Sequence, residues 1–346
     1  MLRTHLPILA LLLVTTAPAS AGEETPSAKA PSAKAAIGWH LFFDPLLSGP
    51  RSFSCASCHQ PEKAFADGLP LARGVHGDVL PRHTPRIVDL AGAELFFWDG
   101  RATSLEEQVL VPLTHPQEMD LAAEEAAARV ATDPDYRRAF AAAGVDEVTV
   151  GEVAAALAAF VRSLESGDSR YDRWLGGDRD ALSPAEERGR MIFFTRGQCA
   201  TCHIGPALTD HRFHNVATGT AEDPGRSEVT GEEKDQGKFK TPPLRGWGGS
   251  EPFMHDGRFA TLADVLDHYS EPPEADVGVS ELDPLELEED EKADLAAFLQ
   301  TLDAPGPDLA PYEEGWRRLV GDAGGGSRIL LTGFDVAGSL PPSFYK

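Results

Sequence analysis

Two short stretches concentrate the chemistry of this chain, Cys55-Ala-Ser-Cys58-His59 and Cys199-Ala-Thr-Cys202-His203, and between them they use all four of its cysteines. Thiols three positions apart lie on one face of a helical turn. Both can then add to the vinyl groups of one porphyrin, and the adjacent imidazole is delivered to the iron as proximal ligand. A redox-active cysteine pair or a zinc site would use the same residue types. Zinc would need the stretches to converge or to find further ligands, and a histidine follows directly in both. The sequence therefore predicts two covalently bound c-type haems, attached through Cys55, Cys58, Cys199 and Cys202 with His59 and His203 on the irons.

The elements around these stretches also come in pairs. Gly38-Trp-His-Leu-Phe-Phe43 precedes the first site and Gly189-Arg-Met-Ile-Phe-Phe194 the second. Residues 84–105 align without a gap on 241–262, with nine of 22 positions identical, including an Asp-Gly-Arg turn. Leu157–Leu164 and Leu295–Leu302 close the halves. The periodicity is helical. Thr149 with Glu152 and Ser183 with Glu186 read as helix starts, as do Ser104 with Glu107 and Thr261 with Asp264. Strand-like alternation is scarce. The expected fold is mainly α, with two tandem cytochrome-c-like haem domains (37–165 and 183–302) related by internal duplication. Residues 166–182 read as a linker, and 303–346 as an extension of open role.

The chain begins as an exported protein does. Arg3, the apolar run Leu6 to Val14 and Ala19-Ser-Ala21 predict a signal peptide over 1–21. Residues 22–36 lack bulky side chains and read as a flexible lead-in. No stretch is long enough to span a bilayer, so a periplasmic protein without membrane insertion is expected. The formal net charge of −24 argues against nucleic acid and favours a locally basic partner, or simply keeps the protein soluble.

Over about 37–302 the chain resembles bacterial di-haem cytochrome c peroxidases and their MauG-type relatives. The resemblance rests on LFFDPLLSG (41–49), both attachment stretches, GVHG (74–77), RHTP (82–85), FWDGRA (97–102 with Phe97 first), Glu118-Met119, CHIGPALTDHRFHN (202–215) and PFMHDGR (252–258). It implies that Trp98 carries electrons between the haems, although its indole could equally be core packing. It implies that Gln108, Pro112 and Glu118 form the distal pocket over the N-terminal haem, with Glu118 as acid–base. His76 resembles the histidine that ligates that haem in resting peroxidases. Arg101 and Arg258 would pair with propionates or simply shape their turns. The family's calcium between the domains is weakened here, because His83 replaces the usual Asn. At the C-terminal haem, Glu251 stands where peroxidases have a Met, and Phe253 cannot replace the tyrosine of MauG-type enzymes. Met254 is the expected sixth ligand, with Glu251, His255 or an open site as alternatives.

The leading functional reading is reduction of hydrogen peroxide with electrons from a small periplasmic donor, a cytochrome c or cupredoxin, passing from the C-terminal to the N-terminal haem. The second is a MauG-type enzyme that oxidises side chains of a protein partner. The third is an electron carrier without a substrate, for which a polar pocket at Gln108 and Glu118 would have no use.

Overall fold

The computed structural model describes residues 30–321. The expected signal peptide, the start of the lead-in and the apolar tail beyond 321 lie outside the described residues. The described first half carries helices α1 (Ala33–Phe43), α2 (Cys55–Cys58), α3 (Leu105–Thr114), α4 (Ala123–Thr132), α5 (Pro134–Ala142) and α6 (Val150–Arg162). The second carries α7 (Arg170–Leu175), α8 (Pro184–Phe194), α9 (Ser227–Thr230), α10 (Leu262–Ser270) and α11 (Glu289–Gln300), followed by α12 (Ala310–Val320). A two-stranded antiparallel ribbon, β1 (Phe213–Asn215) with β2 (Lys238–Lys240), is the one sheet among the described residues. The fold is mainly helical, as the sequence predicts.

The helix starts follow local chemistry. Thr149 Oγ1 accepts the Glu152 N–H at 3.2 Å, and Ser104 Oγ accepts that of Glu107 at 3.0 Å. Ser183 with Glu186 and Thr261 with Asp264 form reciprocal capping boxes. Two helix pairs build the cores, α1 on α6 and α8 on α11. Each crossing turns on a glycine. A Cβ at Gly38 would lie 1.8 Å from the Ala156 carbonyl oxygen, and one at Gly189 would lie 1.9 Å from that of Asp294. These glycines occupy equivalent positions of the sequence repeat, so the two pairs meet equally closely.

Two expectations about the connecting segments change. The lead-in is not flexible to residue 36: Ser32 caps α1, which begins at Ala33, and Ala35 and Ala36 are buried. Residues 166–182 are not a plain linker. They hold α7, whose Ser169–Asp172 capping box fixes its start and whose Tyr171 is buried edge-on against Phe298 in the second core.

After the second half, α12 returns to the first and packs on α1 and α5. Trp316 stacks on His40 with ring centroids 3.8 Å apart, and Tyr312 donates from its hydroxyl to Ser163 Oγ at 2.8 Å. Burial of a ring of that size contributes on the order of 3 kcal/mol. Beneath Trp316, His40 Nδ1 meets the Tyr136 hydroxyl at 2.7 Å, which donates to Asp44 at 2.9 Å. Burial lowers the His40 pKa to about 3, so the ring is neutral there.

Candidate haem sites and the junction between them

The first attachment stretch forms α2, which presents Cys55 and Cys58 to a cavity open to solvent. His59 lines the same cavity. Its Nδ1 lies 2.9 Å from the Phe65 carbonyl oxygen. A carbonyl only accepts, so Nδ1 carries the proton and Nε2 keeps its lone pair for a metal. His203 repeats the arrangement with the Leu208 carbonyl at 2.9 Å, in a short 3-10 turn over Cys199–Thr201. Burial lowers the pKa of both imidazoles, which keeps them neutral as iron ligands must be. Burial also pushes the Cys55 and Cys199 thiols up to about 12. Thiols held protonated make poor redox nucleophiles. The surroundings therefore fit the haem and disfavour a redox-active cysteine pair. Replacing Cys55 and Cys58 together with Ala should leave one thioether-bound haem, read by haem staining on a denaturing gel; retention of two would refute the attachment.

The same cavity is also lined by Gln108, Pro112 and Glu118. Gln108 and Pro112 lie on α3, one turn apart. Pro112 has no N–H to give the Gln108 carbonyl, so the helix loses one bond at this wall. Glu118 follows in a turn that runs against residues 73–75. Val75 N–H donates to the Glu118 carbonyl at 2.8 Å, and a Cβ at Gly74 would lie 1.6 Å from the Gln117 carbonyl oxygen. No side chain fits at Gly74, and its absence lets one strand press on the other and hold Glu118 at the cavity. Burial raises the Glu118 pKa, while His115 and Arg101 act in the opposite sense.

Trp98 lies where the halves meet. Its Nε1–H donates to the His83 carbonyl at 2.9 Å, and its own carbonyl receives the Lys240 N–H at 2.8 Å. The contact has a counterpart: His83 N–H donates to the His255 carbonyl at 2.6 Å, with His83 equivalent to Lys240 and Trp98 to His255 in the aligned repeat. Around this crossing, Arg82 pairs with Asp99 at 2.5 Å and Asp223 at 2.7 Å. Arg86 donates to the carbonyls of Pro243, Arg245 and Gly246 in the other half. Arg226 returns the favour to Asp99 and Gly100.

Several expected site residues are placed elsewhere. His76 does not reach the cavity. Gly77, at φ +85°, turns the loop outward, and the imidazole is half exposed with Nε2 2.9 Å from Asp120 Oδ2. Met254 stands at the position equivalent to Phe97, and both take left-handed φ, +72° and +66°, in the same Asp-Gly-Arg turn. In the first half that turn stacks Phe97 under Arg101, 3.5 Å from the ring centre. Met254 thus stands in a turn whose counterpart in the first half carries a packed aromatic ring. His255 is buried, stacked on Phe239 at 3.5 Å with Nε2 3.7 Å from Asp223. Arg101 and Arg258 pair with the aspartates two residues before them, at 2.9 and 2.7 Å, as turn-shaping residues do. The His83 ring is held on the Leu69 carbonyl at 2.7 Å.

Sequence reasoning missed Tyr269. It lies on α10, part-buried, and its hydroxyl pKa is pushed up first by desolvation and then by proximity to Cys199 and Cys202. The signal was available: Leu262, Leu266 and Tyr269 share the helical face that the repeat turns toward the second site. Among the described residues, the one cluster of three His, Cys, Asp or Glu donors close enough for a metal is Cys202, Asp210 and His214. A thioether at Cys202 would spend its sulfur, and His214 is already held between Asp210 at 2.9 Å and Glu281 at 2.6 Å.

Comparison with known proteins agrees with this geometry. Residues 32–180 match the family model described as di-haem cytochrome c peroxidase. The methylamine utilization protein MauG of Methylorubrum extorquens is 41% identical over 276 residues, 78% of each chain. Cytochrome c551 peroxidase of Nitrosomonas europaea is 35% identical over 281 residues, covering 80% of this chain and 81% of that one. The crystal structure of a MauG-like protein associated with microbial copper homeostasis superposes with a TM-score of 0.71 at 34% identity, over 83% of this chain and 95% of that one. With paired attachment sites, neutral proximal imidazoles and relatives of both kinds, the chain belongs to the di-haem cytochrome c peroxidase and MauG family of c-type haem oxidoreductases.

Proposed function

We propose that the chain reduces hydrogen peroxide at the cavity beside His59, with electrons received on the His203 side from a small periplasmic cytochrome c or cupredoxin. The observation that carries this reading is the convergence of Gln108, Pro112 and Glu118 on the cavity that Cys55, Cys58 and His59 also line. The bound haem supplies the redox chemistry. Glu118 takes the proton from the near oxygen of peroxide and returns it to the departing one. Gln108 offers an amide donor to the same substrate, and Pro112 holds that wall apolar. Trp98 is the aromatic group placed to pass electrons across the junction. A plain electron carrier has no use for a buried carboxylate at one haem. A cytochrome-c-like duplication accounts for the paired Gly38 and Gly189 crossings and for the reciprocal His83 and Lys240 bonds. Among the described residues no helix is long and apolar enough to cross a membrane.

Tyr269 favours a second reading. We propose that its phenol, and not Met254, would help hold a haem bound by His203. A phenolate favours ferric iron where a thioether would favour ferrous, which suits an enzyme that stores oxidising power to attack a protein side chain. Steady-state peroxide consumption with reduced cytochrome c tests the first reading: two donor electrons should be used per peroxide. Donor oxidation no faster than the uncatalysed rate would leave the protein-modifying reading. Tyr269→Phe should abolish a phenolate-to-iron charge-transfer band and raise that haem's potential. An unchanged spectrum would return the choice to Met254, Glu251 or an open site.

A further inference from the structure

We infer that His115 is the group through which solvent protons reach Glu118, a role that rests on the peroxide reading above. Reduction of one peroxide to two waters consumes two protons and two electrons. Glu118 takes one proton and gives it back, so it supplies none on balance. Both must enter from outside, and Glu118 is mostly buried at the cavity.

The local sequence builds an entry point. A residue before proline is disfavoured in the helical region, so α3 ends at Thr114 and His115, followed by Pro116, becomes its extended C-cap at ψ 125°. The chain then folds back. Glu118 N–H and Asp120 N–H both donate to the His115 carbonyl, at 3.0 and 3.1 Å. This turn sets His115 Nδ1 3.8 Å from Glu118 Oε1, with the imidazole side chain 41% exposed and the carboxylate 24%. Glu118 lines the cavity, while His115 stands behind it toward solvent.

The hydrogen bonds fix which nitrogen works. Nδ1 accepts the Gln117 N–H at 3.3 Å, so in the neutral ring the proton sits on Nε2 and only Nδ1 is open to another. A proton from water therefore adds at Nδ1, the Gln117 bond is released, and Nδ1–H faces Glu118. Transfer to the carboxylate restores the neutral ring. One proton has moved inward with no net change in His115. The other charged groups around Glu118 cannot do this. Arg101 is permanently protonated, Arg73 on the cavity wall likewise, and His76 is engaged with Asp120 on the outer surface. Histidine is the side chain that loads and unloads a proton near neutrality.

The competing role for His115 is a turn residue whose nitrogen merely caps Gln117, which an asparagine oxygen would do as well. His115→Asn in the haem-loaded protein therefore separates the two. Peroxide turnover should fall about 10-fold or more, added imidazole should restore it, and both haem spectra should stay unchanged. Infrared titration should find the Glu118 carboxyl displaced upward in pH, because a cation beside it is gone; the band is identified by its loss in Glu118→Gln. A His115→Asn protein with the original rate, or one whose lost rate imidazole does not restore and whose Glu118 titration is unmoved, overturns the proposal. If Glu118→Gln is crippled in the same assay, the peroxide reading survives that result. If Glu118→Gln is also fully active, the peroxide reading itself fails.

Discussion

Glu118→Gln should slow peroxide cleavage by about 100-fold or more while both haem spectra stay near those of the unchanged protein. The substitution keeps the shape of a side chain that the Gly74 approach and the Val75 bond hold at the cavity, and removes only its ability to titrate. Burial raises the Glu118 pKa. The base form is the carboxylate, so the rate of peroxide cleavage should rise with pH through that raised pKa, at higher pH than for a solvated glutamate. The Gln protein should lack this limb altogether. Single-turnover mixing of the half-reduced protein with peroxide across pH 4–8 reads both the drop and the missing limb. Undiminished cleavage, or a limb that persists, would take Glu118 out of the reaction.

Trp98→Ala should leave both haems attached yet disconnect them. The backbone bond from Lys240 N–H to residue 98 survives the change, so the crossing of the chains is kept. What goes is the indole and its Nε1–H bond to the His83 carbonyl. Electrons delivered on the His203 side should then no longer support fast peroxide reduction on the His59 side, while peroxide mixed with fully reduced protein should still react once. A large-to-small change at a part-buried ring can loosen the junction by several kcal/mol. Trp98→Phe guards against that: it keeps an aromatic ring and loses only the hydrogen bond, and its transfer rate should fall between the other two. Equal transfer rates in all three proteins would make Trp98 packing.

The chemistry-bearing residues were legible because their constraint is covalent and local. Attachment of a haem demands two thiols and an imidazole at fixed spacing, and helix starts demand a side-chain oxygen beside free N–H groups. Less legible was whatever depends on a distant partner. The lead-in before Ile37 looked flexible because it lacks bulky residues. In the structure Ala36 is small because α12 lies against it, with a Cβ at Gly315 reaching 3.0 Å from its own. Composition alone cannot tell close packing from freedom. Met254 looked like a ligand because methionine is a rare and suitable donor. It shares a left-handed turn with Phe97, a backbone conformation of which local sequence gives no sign. Tyr269, which we propose as a ligand, lies on the helix after the Asp-Gly-Arg turn, whereas the resemblance points to a tyrosine beside that turn.

The return of α12 to the first half has a consequence for how the chain must be made. A ribosome releases residues in order, and a domain generally folds once its own residues are out. Here the first half includes Tyr312 and Trp316 in its core, and these are made after the whole of the second half. A chain stopped short of Ala310 contains α1 to α6 complete, yet leaves His40 without Trp316 and Phe160 without Tyr312. The half that is synthesised first is therefore the half that is finished last, and a shortened C-terminus would injure the cavity at His59 before it touched the second attachment site.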